Sequence, residues 1–265
     1  MKKNPFKRIL CIVIAAVMLC SVFASTAAAA TKCACGHSPV VMISGFGATI
    51  LSEKQEDGSL KRVFPPDTKE ILKLLGVNAP DLVTGIIELL AQKGTDGIEK
   101  PLREIITSIV EPLRMNDDGT SYYDIVPILS GAKNTSLEAF TKNDQLDLVP
   151  YTGSEFLDME VIGDEIGDDH VFNFLYDWRL SHADVAAQLH DYLAEVCALT
   201  GHDKVSVYSI SQGSLLLGTY MYEYPNDNYI DRAVFDTPLL AGSNLVSDLY
   251  TCLLYTLTLP TSDLV

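Results

Sequence analysis

Apolar residues in the second half of the chain form short blocks that alternate between the period of a strand and the period of a helix. Apolar, β-branched blocks at 171–175, 205–208 and 232–236 each predict a buried strand. Between them, the apolar residues from Leu189 to Cys197 share one side of a predicted helix over 184–200, and 212–223 predicts the next helix. Strands that alternate with helices are typical of a parallel sheet with crossover connections, so the pattern predicts an α/β fold.

Glycine and serine mark the ends of these elements. An earlier apolar block, Pro39–Ser44, ends at Gly45-Phe46-Gly47 and predicts a buried strand that meets a glycine turn. Ser181-x-x-Asp184 is a capping pattern that predicts a helix start, and Gly201 predicts the end of the same helix.

Residues 65–115 have helical character and predict an insertion. Helices are expected over 70–75, from Pro80-Asp81 through Leu90 and from Lys100-Pro101 through Val110. One-sided apolar positions favour helices that face the core, and a cap over an apolar cleft is the alternative. Because 116–160 is polar and rich in turn residues, the insertion is expected to span about 65–160. The apolar positions are Leu82, Ile86, Leu89, Leu90, Leu102, Ile105, Ile106 and Ile109.

The first thirty residues have the composition of a secretory signal peptide. Four basic residues precede an apolar run over 9–24, and small residues follow it up to Ala30. The run is shorter than the roughly 20 apolar residues that a membrane-spanning helix needs. We therefore expect cleavage near Ala30, a mature domain over 31–265 and a secreted or extracytoplasmic location.

Acidic residues dominate the charge of the chain. There are 35 Asp and Glu against 19 Lys and Arg, and loss of the four basic signal residues changes the net charge from −16 to −20. This charge argues against nucleic acid and anionic membrane surfaces as partners, but not against an apolar or zwitterionic ligand. No cofactor is predicted, and no pattern indicates the oligomeric state.

Four cysteines remain beyond the signal: Cys33, Cys35, Cys197 and Cys252. In an exported protein they can form disulfides, but their connectivity is not readable from sequence. Cys33-Ala34-Cys35 followed by His37 resembles a metal-binding cluster. No second pair of Cys or His is nearby in the sequence, so no metal site is predicted.

The segment Ser209-Ile-Ser-Gln-Gly213 lies between a predicted strand and a predicted helix and carries the candidate chemistry. In the G-x-S-x-G pattern, small residues flank a serine that stands exposed on a sharp turn. The pattern predicts Ser211 as nucleophile and the N–H of Gln212 as an oxyanion donor. The N–H of Phe46 is the predicted second donor, because its glycine turn follows an earlier strand. The alternatives are an ordinary serine-rich turn and a simple glycine turn.

Three stretches together carry a resemblance. Pro39–Leu51 is similar to an entry segment, Phe174–Leu180 contains a Tyr-Asp-Trp-Arg signature, and Lys204–Gly213 with Phe235–Ser243 is similar to a nucleophile turn and the next strand end. They resemble the lecithin:cholesterol acyltransferase and lysosomal phospholipase A2 branch of the α/β-hydrolases. The resemblance covers about 39–245, and 55–165 matches little. Ser44 stands where the family usually has Pro, and Ser209 where it has Gly.

The resemblance implies acyl-ester chemistry on a lipid through an acyl-enzyme, in an α/β-hydrolase-type, mostly parallel sheet with a helical insertion. It implies Ser211 as nucleophile, the amides of Phe46 and Gln212 as the oxyanion hole, and Gly45 and Trp178 as substrate contacts. Asp177 and Arg179 are expected to pair, with a structural lock at the strand end as the alternative role of this segment.

The base that would activate Ser211 is missing from the part of the chain where the family has it. In α/β-hydrolases the acid and then the histidine follow the serine, and here Asp236 and Asp248 follow it but are expected to be turn or solvent carboxylates. The five histidines all precede Ser211: His37, His170, His182, His190 and His202.

Two explanations remain open. The chain is an incomplete hydrolase, which its apolar ending favours, or it is a complete protein that has lost catalysis. The alternatives to a lipid acyl hydrolase or O-acyltransferase are a non-catalytic lipid- or ligand-binding module and a secreted esterase of small esters.

Overall fold

The computed structural model describes residues 32–91, 96–149 and 159–244, so the predicted signal peptide, Asp248 and Cys252 lie outside the described residues. Seven strands and six α-helices follow one another in these ranges. The strands are β1 (Val40–Ile43), β2 (Leu51–Lys54), β3 (Leu60–Phe64), β4 (Ile125–Pro127), β5 (Val171–Phe174), β6 (Val205–Ile210) and β7 (Ile230–Asp236). The helices are α1 (Thr68–Leu90), α2 (Asp96–Val110), α3 (Leu137–Lys142), α4 (Met159–Ile166), α5 (His182–Thr200) and α6 (Gln212–Glu223).

A four-stranded parallel sheet forms the centre, with the strand order β5-β1-β6-β7. The four strands are those that the apolar blocks predict, and the α/β fold is thereby confirmed. β1 and β5 are apolar along almost their whole length because β1 lies between two neighbours and helices cover the sheet.

The two crossover helices agree closely with the sequence pattern. α5 begins after Ser181 and ends at Gly201, which adopts a left-handed conformation with φ 70°. The Ser181 side chain makes no capping hydrogen bond, so the predicted capping box is wrong although the helix start is right. The predicted apolar face of α5 is buried against the sheet: Leu189, Tyr192, Leu193, Val196 and Cys197.

A second, antiparallel sheet with the strand order β3-β2-β4 was not predicted. It follows directly on the glycine turn after β1, and only Leu51 and Ser52 of β2 are buried. Its three short strands alternate weakly between apolar and polar residues, which explains why the sequence pattern does not reveal them.

The helical insertion contains the helix pair α1 and α2, which lies in sequence between β3 and β4 of this second sheet. The helices predicted over 70–75 and 80–90 form one helix, α1, with Pro80 inside it. α1 and α2 pack against each other where Gly85 meets Gly97, since a Cβ on Gly85 would overlap the Gly97 backbone.

The prediction that these helices face the core is wrong for most of their apolar residues. Ile105 is buried, but many of the others are exposed: Leu72, Leu75, Val77, Val83, Ile86, Ile87, Leu90, Leu102, Ile106 and Val110. No helix within the described residues combines the length and the hydrophobicity that a bilayer span requires.

Candidate functional site

The candidate nucleophile lies where the order of strands reverses. After β1 the chain forms β5, which pairs with one side of β1. It then passes back and forms β6, which pairs with the other side of β1. The order of strands therefore reverses direction between β1 and β6. Ligands of parallel α/β sheets bind at the carboxyl ends of such strands. Gly45 follows β1 and Ser211 follows β6, so both lie at this position.

Ser211 has the strained backbone that a sharp strand-to-helix turn demands. Its φ of 53° and ψ of −118° are unusual for a residue with a side chain and cost about 1–3 kcal/mol. The Ser211 N–H donates to the carbonyl oxygen of Asp236 at 3.0 Å, and its own carbonyl accepts from the Ser214 N–H at 3.1 Å. The side chain is half-buried, and its Oγ has no hydrogen-bond partner among the described residues.

Small residues on both sides allow this turn, as the sequence predicts. The Ser209 hydroxyl is buried and donates to the Val234 carbonyl at 2.9 Å, so a serine replaces the usual glycine without leaving a polar atom unpaired. At Gly213 a Cβ would lie 2.7 Å from the Ser44 carbonyl oxygen and closer still to that of Ile43. The start of α6 therefore touches the end of β1 through backbone alone.

Adding a methyl group at Gly213 is expected to destabilise the protein. Gly213→Ala must displace two backbone carbonyls, which is expected to lower the free energy of unfolding by about 1–3 kcal/mol. The measurement is urea unfolding followed by circular dichroism.

Gly218 on the same helix provides the matched control. A Cβ there would lie 3.2 Å from a side-chain methyl of Leu240, which is exposed and free to move. Gly218→Ala is expected to leave stability unchanged or to raise it by up to about 1 kcal/mol. Equal stabilities of the two variants would contradict the close approach at Gly213.

The glycine turn after β1 contacts Ser211, which the sequence argument requires. A Cβ on Gly45 would lie 3.0 Å from the Cβ and 3.5 Å from the Oγ of Ser211. The Phe46 N–H makes no backbone hydrogen bond within the part of the chain that the structure describes. Gln212 is the first residue of α6, so its N–H has no intrahelical acceptor. Neither amide therefore makes a backbone hydrogen bond among the described residues, and their role as oxyanion donors stays a prediction.

The Tyr-Asp-Trp-Arg segment after β5 packs under the same turn. The Trp178 ring is buried and contacts the rings of Phe46, at a centroid distance of 4.4 Å, and Phe64, at 5.0 Å. The Gln212 side-chain amide donates to the Trp178 carbonyl at 2.8 Å. Trp178 therefore supports the turn, while Phe46, which is 69% exposed, presents an apolar surface. Contact of Gly45 and Trp178 with a substrate stays a prediction.

Asp177 and Arg179 form the expected pair, and it is buried. Arg179 Nε and one terminal nitrogen donate to the two carboxylate oxygens of Asp177 at 2.9 Å and 2.6 Å, with 5% and 3% of the Arg179 and Asp177 side chains exposed. Arg179 also donates to the Ser121 hydroxyl at 2.9 Å. No hydrogen bond joins either residue to Ser211 within the described residues, and the burial of the pair is consistent with the structural lock that is the alternative role of this segment.

None of the five histidines, all of which lie in the described residues, hydrogen-bonds the Ser211 hydroxyl. His182 begins α5; burial lowers its pKa, and its Nε2 is buried with no partner in the described part of the chain. His190 Nδ1 lies 2.6 Å from a carboxylate oxygen of Asp227. The Asp236 carboxylate accepts the Tyr208 hydroxyl, which fits the turn carboxylate that the sequence predicts.

Sequence reasoning missed a cluster at the opposite edge of the parallel sheet, where the strands begin. Cys33, Cys35, His170 and His202 lie there with their sulfur and ring nitrogen atoms within 4.8 Å of one another. The expectation of no metal site depended on the lack of a second Cys or His pair nearby in the sequence. A cleft of about 640 Å³ opens beside Cys33 and His170 and contains none of the predicted catalytic residues.

No protein-family model matches the chain, and no curated protein matches it in sequence.

Proposed function

We propose that this protein is an exported lipid acyl hydrolase or O-acyltransferase that works through an acyl-enzyme on Ser211. The observation that carries the proposal is the strained backbone of Ser211 at the start of α6, with Gly45 in contact with its side chain. Strain of about 1–3 kcal/mol persists only where the surrounding structure enforces it, and such residues cluster at functional sites.

The proposed reaction has two steps. Ser211 Oγ attacks the ester carbonyl carbon while its proton passes to a general base, and the carbonyl electron pair moves onto the oxygen. The family resemblance implies a histidine as this base, and the described residues do not place one at Ser211. Collapse of this intermediate breaks the ester bond, and the leaving alcohol takes the proton. Water or a second alcohol then attacks the acyl-enzyme in the same way, which gives hydrolysis or acyl transfer.

The N–H groups of Phe46 and Gln212 would stabilise the negative oxygen. Phe46 and Gln212 belong to two turns that approach each other where Gly45 meets Ser211, and the amino end of α6 adds the partial positive charge of a helix terminus. A donor of this kind lowers the activation free energy by roughly 3–4 kcal/mol, because it is already oriented before the reaction.

Three contacts support an α/β-hydrolase-type site and the family resemblance. The three stretches that resemble lecithin:cholesterol acyltransferase and lysosomal phospholipase A2 are far apart in sequence. They meet through the Gly45–Ser211 approach, the Phe46–Trp178 rings and the hydrogen bond from Gln212 to Trp178. Adjacent parallel strands bring the three stretches to one edge of the sheet, and these contacts join the matched residues themselves.

The exposed apolar helices support a lipid rather than a small ester. Leu72, Val83, Ile87 and Leu90 lie along one face of α1 and are all exposed. The helix pair starts four residues after Phe64, whose ring contacts Trp178. Apolar patches of this kind mark lipid or protein contact surfaces. We therefore propose that α1 and α2 hold the protein at a zwitterionic lipid surface beside Ser211.

A fluorophosphonate probe tests the proposal on the full-length gene product. We expect covalent labelling that mass spectrometry of the digested protein maps to Ser211, and faster turnover of long-chain than of short-chain esters. Labelling with a preference for short chains would favour the secreted small-ester esterase. No labelling, together with binding of lipid vesicles, would favour the non-catalytic module.

Removal of exposed apolar side chains from α1 is expected to weaken lipid binding. The double variant Val83→Ser, Ile87→Ser should bind phosphatidylcholine vesicles at least about tenfold more weakly, because each apolar side chain contributes roughly 1.5–3 kcal/mol when it leaves water. Flotation of the protein with vesicles measures this. The melting temperature should not fall, since both side chains are exposed.

Two exposed charged residues of α1 provide the matched control. Lys73→Ser, Asp81→Ser changes the same helix at two solvent-exposed positions, keeps the net charge and removes no large apolar side chain. It should bind vesicles as the wild type does. Equal loss in both double variants would contradict a lipid-facing role of the apolar face.

A further inference from the structure

Four side chains from three parts of the chain converge at the amino-terminal edge of the parallel sheet. Cys33 and Cys35 precede β1, His170 immediately precedes β5, and His202 lies between α5 and β6. Because β5, β1 and β6 are adjacent and parallel, the segments that enter them start at the same edge. This strand order brings the two cysteines together with histidines that are 135 or more positions away in sequence.

The distances between these side chains match the edges of a metal tetrahedron. Both sulfurs lie 3.8 Å from His170 Nε2, and Cys35 Sγ lies 3.3 Å from His202 Nε2. Zinc bonds of about 2.3 Å to sulfur and 2.0–2.1 Å to nitrogen predict tetrahedral sulfur–nitrogen edges of ~3.6 Å. A single ion at the centre therefore reaches all four atoms with small adjustments.

The second nitrogen of each imidazole already has an acceptor. His170 Nδ1 is 2.7 Å from an Asp169 carboxylate oxygen, and His202 Nδ1 is 3.1 Å from the Thr200 carbonyl oxygen. A carbonyl only accepts, so Nδ1 of His202 carries a hydrogen, and in the neutral imidazole the lone pair is then on Nε2, the nitrogen that lies 3.3 Å from Cys35 Sγ. A carboxylate or carbonyl behind the ligating imidazole is the usual arrangement at metal sites.

We propose that Cys33, Cys35, His170 and His202 bind one zinc ion that fastens the amino-terminal segment of the domain to the sheet. Two thiolates and two imidazoles in a tetrahedron select zinc among the common divalent ions. All four positions are filled by protein, which is the arrangement of a structural site and leaves none for a substrate.

The position of the cluster defines what the ion stabilises. Within the described residues, the segment before β1 contacts the rest of the domain through, among others, the hydrogen bond from the Cys33 N–H to the Gly201 carbonyl at 3.0 Å and the exposed ion pair of Lys32 with Asp203. Zinc would add a covalent-strength link from this segment to the entry of β5 and to the end of α5. It lies at the opposite edge of the sheet from Ser211, so this site is independent of the proposed acyl transfer.

Cobalt substitution tests the site on the whole protein. The reduced, metal-free wild type should take up one equivalent of Co²⁺ with the intense visible bands of tetrahedral coordination and a thiolate-to-cobalt charge-transfer band. One equivalent of Zn²⁺ should abolish both. At Zn²⁺ one hundred times its Kd, the folding equilibrium should shift ~100-fold towards the folded state, seen as a higher melting temperature.

Histidine variants assign the ligands. His202→Ala should lose tetrahedral Co²⁺ binding, whereas His37→Ala should retain it, because His37 adjoins the cysteines but is not in the cluster. If His202→Ala fails to fold, the cobalt spectrum of the wild type still shows whether the cluster binds one metal ion with tetrahedral thiolate coordination. Absence of charge transfer in the reduced wild type, equal binding by both variants, or a Cys33–Cys35 disulfide that persists in zinc-loaded protein would each overturn the proposal.

Discussion

Ser211→Ala is expected to lower ester turnover by the full-length gene product by roughly 10⁴-fold or more, and to abolish fluorophosphonate labelling. The reason is that the hydroxyl oxygen of Ser211 forms the ester bond of the acyl-enzyme, and alanine has no atom that can replace it. Alanine keeps the same backbone preference as serine, and the Ser211 Oγ makes no hydrogen bond within the described residues, so the fold should be retained. Initial-rate kinetics with a long-chain ester, and circular dichroism as a check on folding, measure both effects.

Ser211→Gly separates the chemical role of Ser211 from its strain. Both variants lack the hydroxyl, but glycine adopts a positive φ without steric cost. We therefore expect the glycine variant to be as inactive as the alanine variant and more stable than it by about 1 kcal/mol. Turnover that survives in either variant would refute Ser211 as nucleophile, and an alanine variant as stable as the glycine variant would refute the strain.

Asp177→Asn is expected to have the largest effect on stability, a loss of roughly 3 kcal/mol in the free energy of unfolding. The substitution keeps the shape of the side chain but leaves the buried Arg179 guanidinium without its counter-charge. Arg179 has few other hydrogen bonds to compensate, because one of its terminal nitrogens is already buried without a partner among the described residues. Guanidinium chloride unfolding, monitored by circular dichroism, gives the free energy of unfolding directly.

Glu138→Gln makes the same chemical change in an exposed pair. Glu138 and Lys142 pair across one turn of α3, with 45% and 67% of their side chains exposed. Such pairs contribute about 0–1 kcal/mol because water screens them. If Asp177→Asn lowers the free energy of unfolding by no more than Glu138→Gln does, the buried pair is not the lock that holds the Tyr-Asp-Trp-Arg segment against Phe46.

The sequence predicted most accurately the elements that are specified by residues close together in the chain. The strands and crossover helices of the parallel sheet, the stop at Gly201 and the turn around Ser211 lie close to where the pattern predicts them. Periodicity, glycine conformation and turn sterics act over a few residues, so they can be read directly from the chain. The short strands β2, β3 and β4 lack such a signal, because their stability depends on pairing with one another.

Burial of the insertion helices was the main structural error. A one-sided apolar pattern reports that a face is apolar, and it does not report what covers that face. In the described residues, α1 and α2 pack on each other through Gly85 and Gly97 and leave much of that surface exposed. The same periodicity is therefore compatible with a core helix and with the lipid-contact role that we propose.

By itself, the sequence determined which residues form strands, helices and the turn at Ser211. Only the tertiary structure decided which distant residues meet, since that depends on the order of strands in the sheet. The order β5-β1-β6-β7 places Gly45 against Ser211 at one edge and Cys33 and Cys35 against His170 and His202 at the other. Contacts within a turn are fixed by local geometry, whereas contacts across adjacent strands exist only after the sheet has formed.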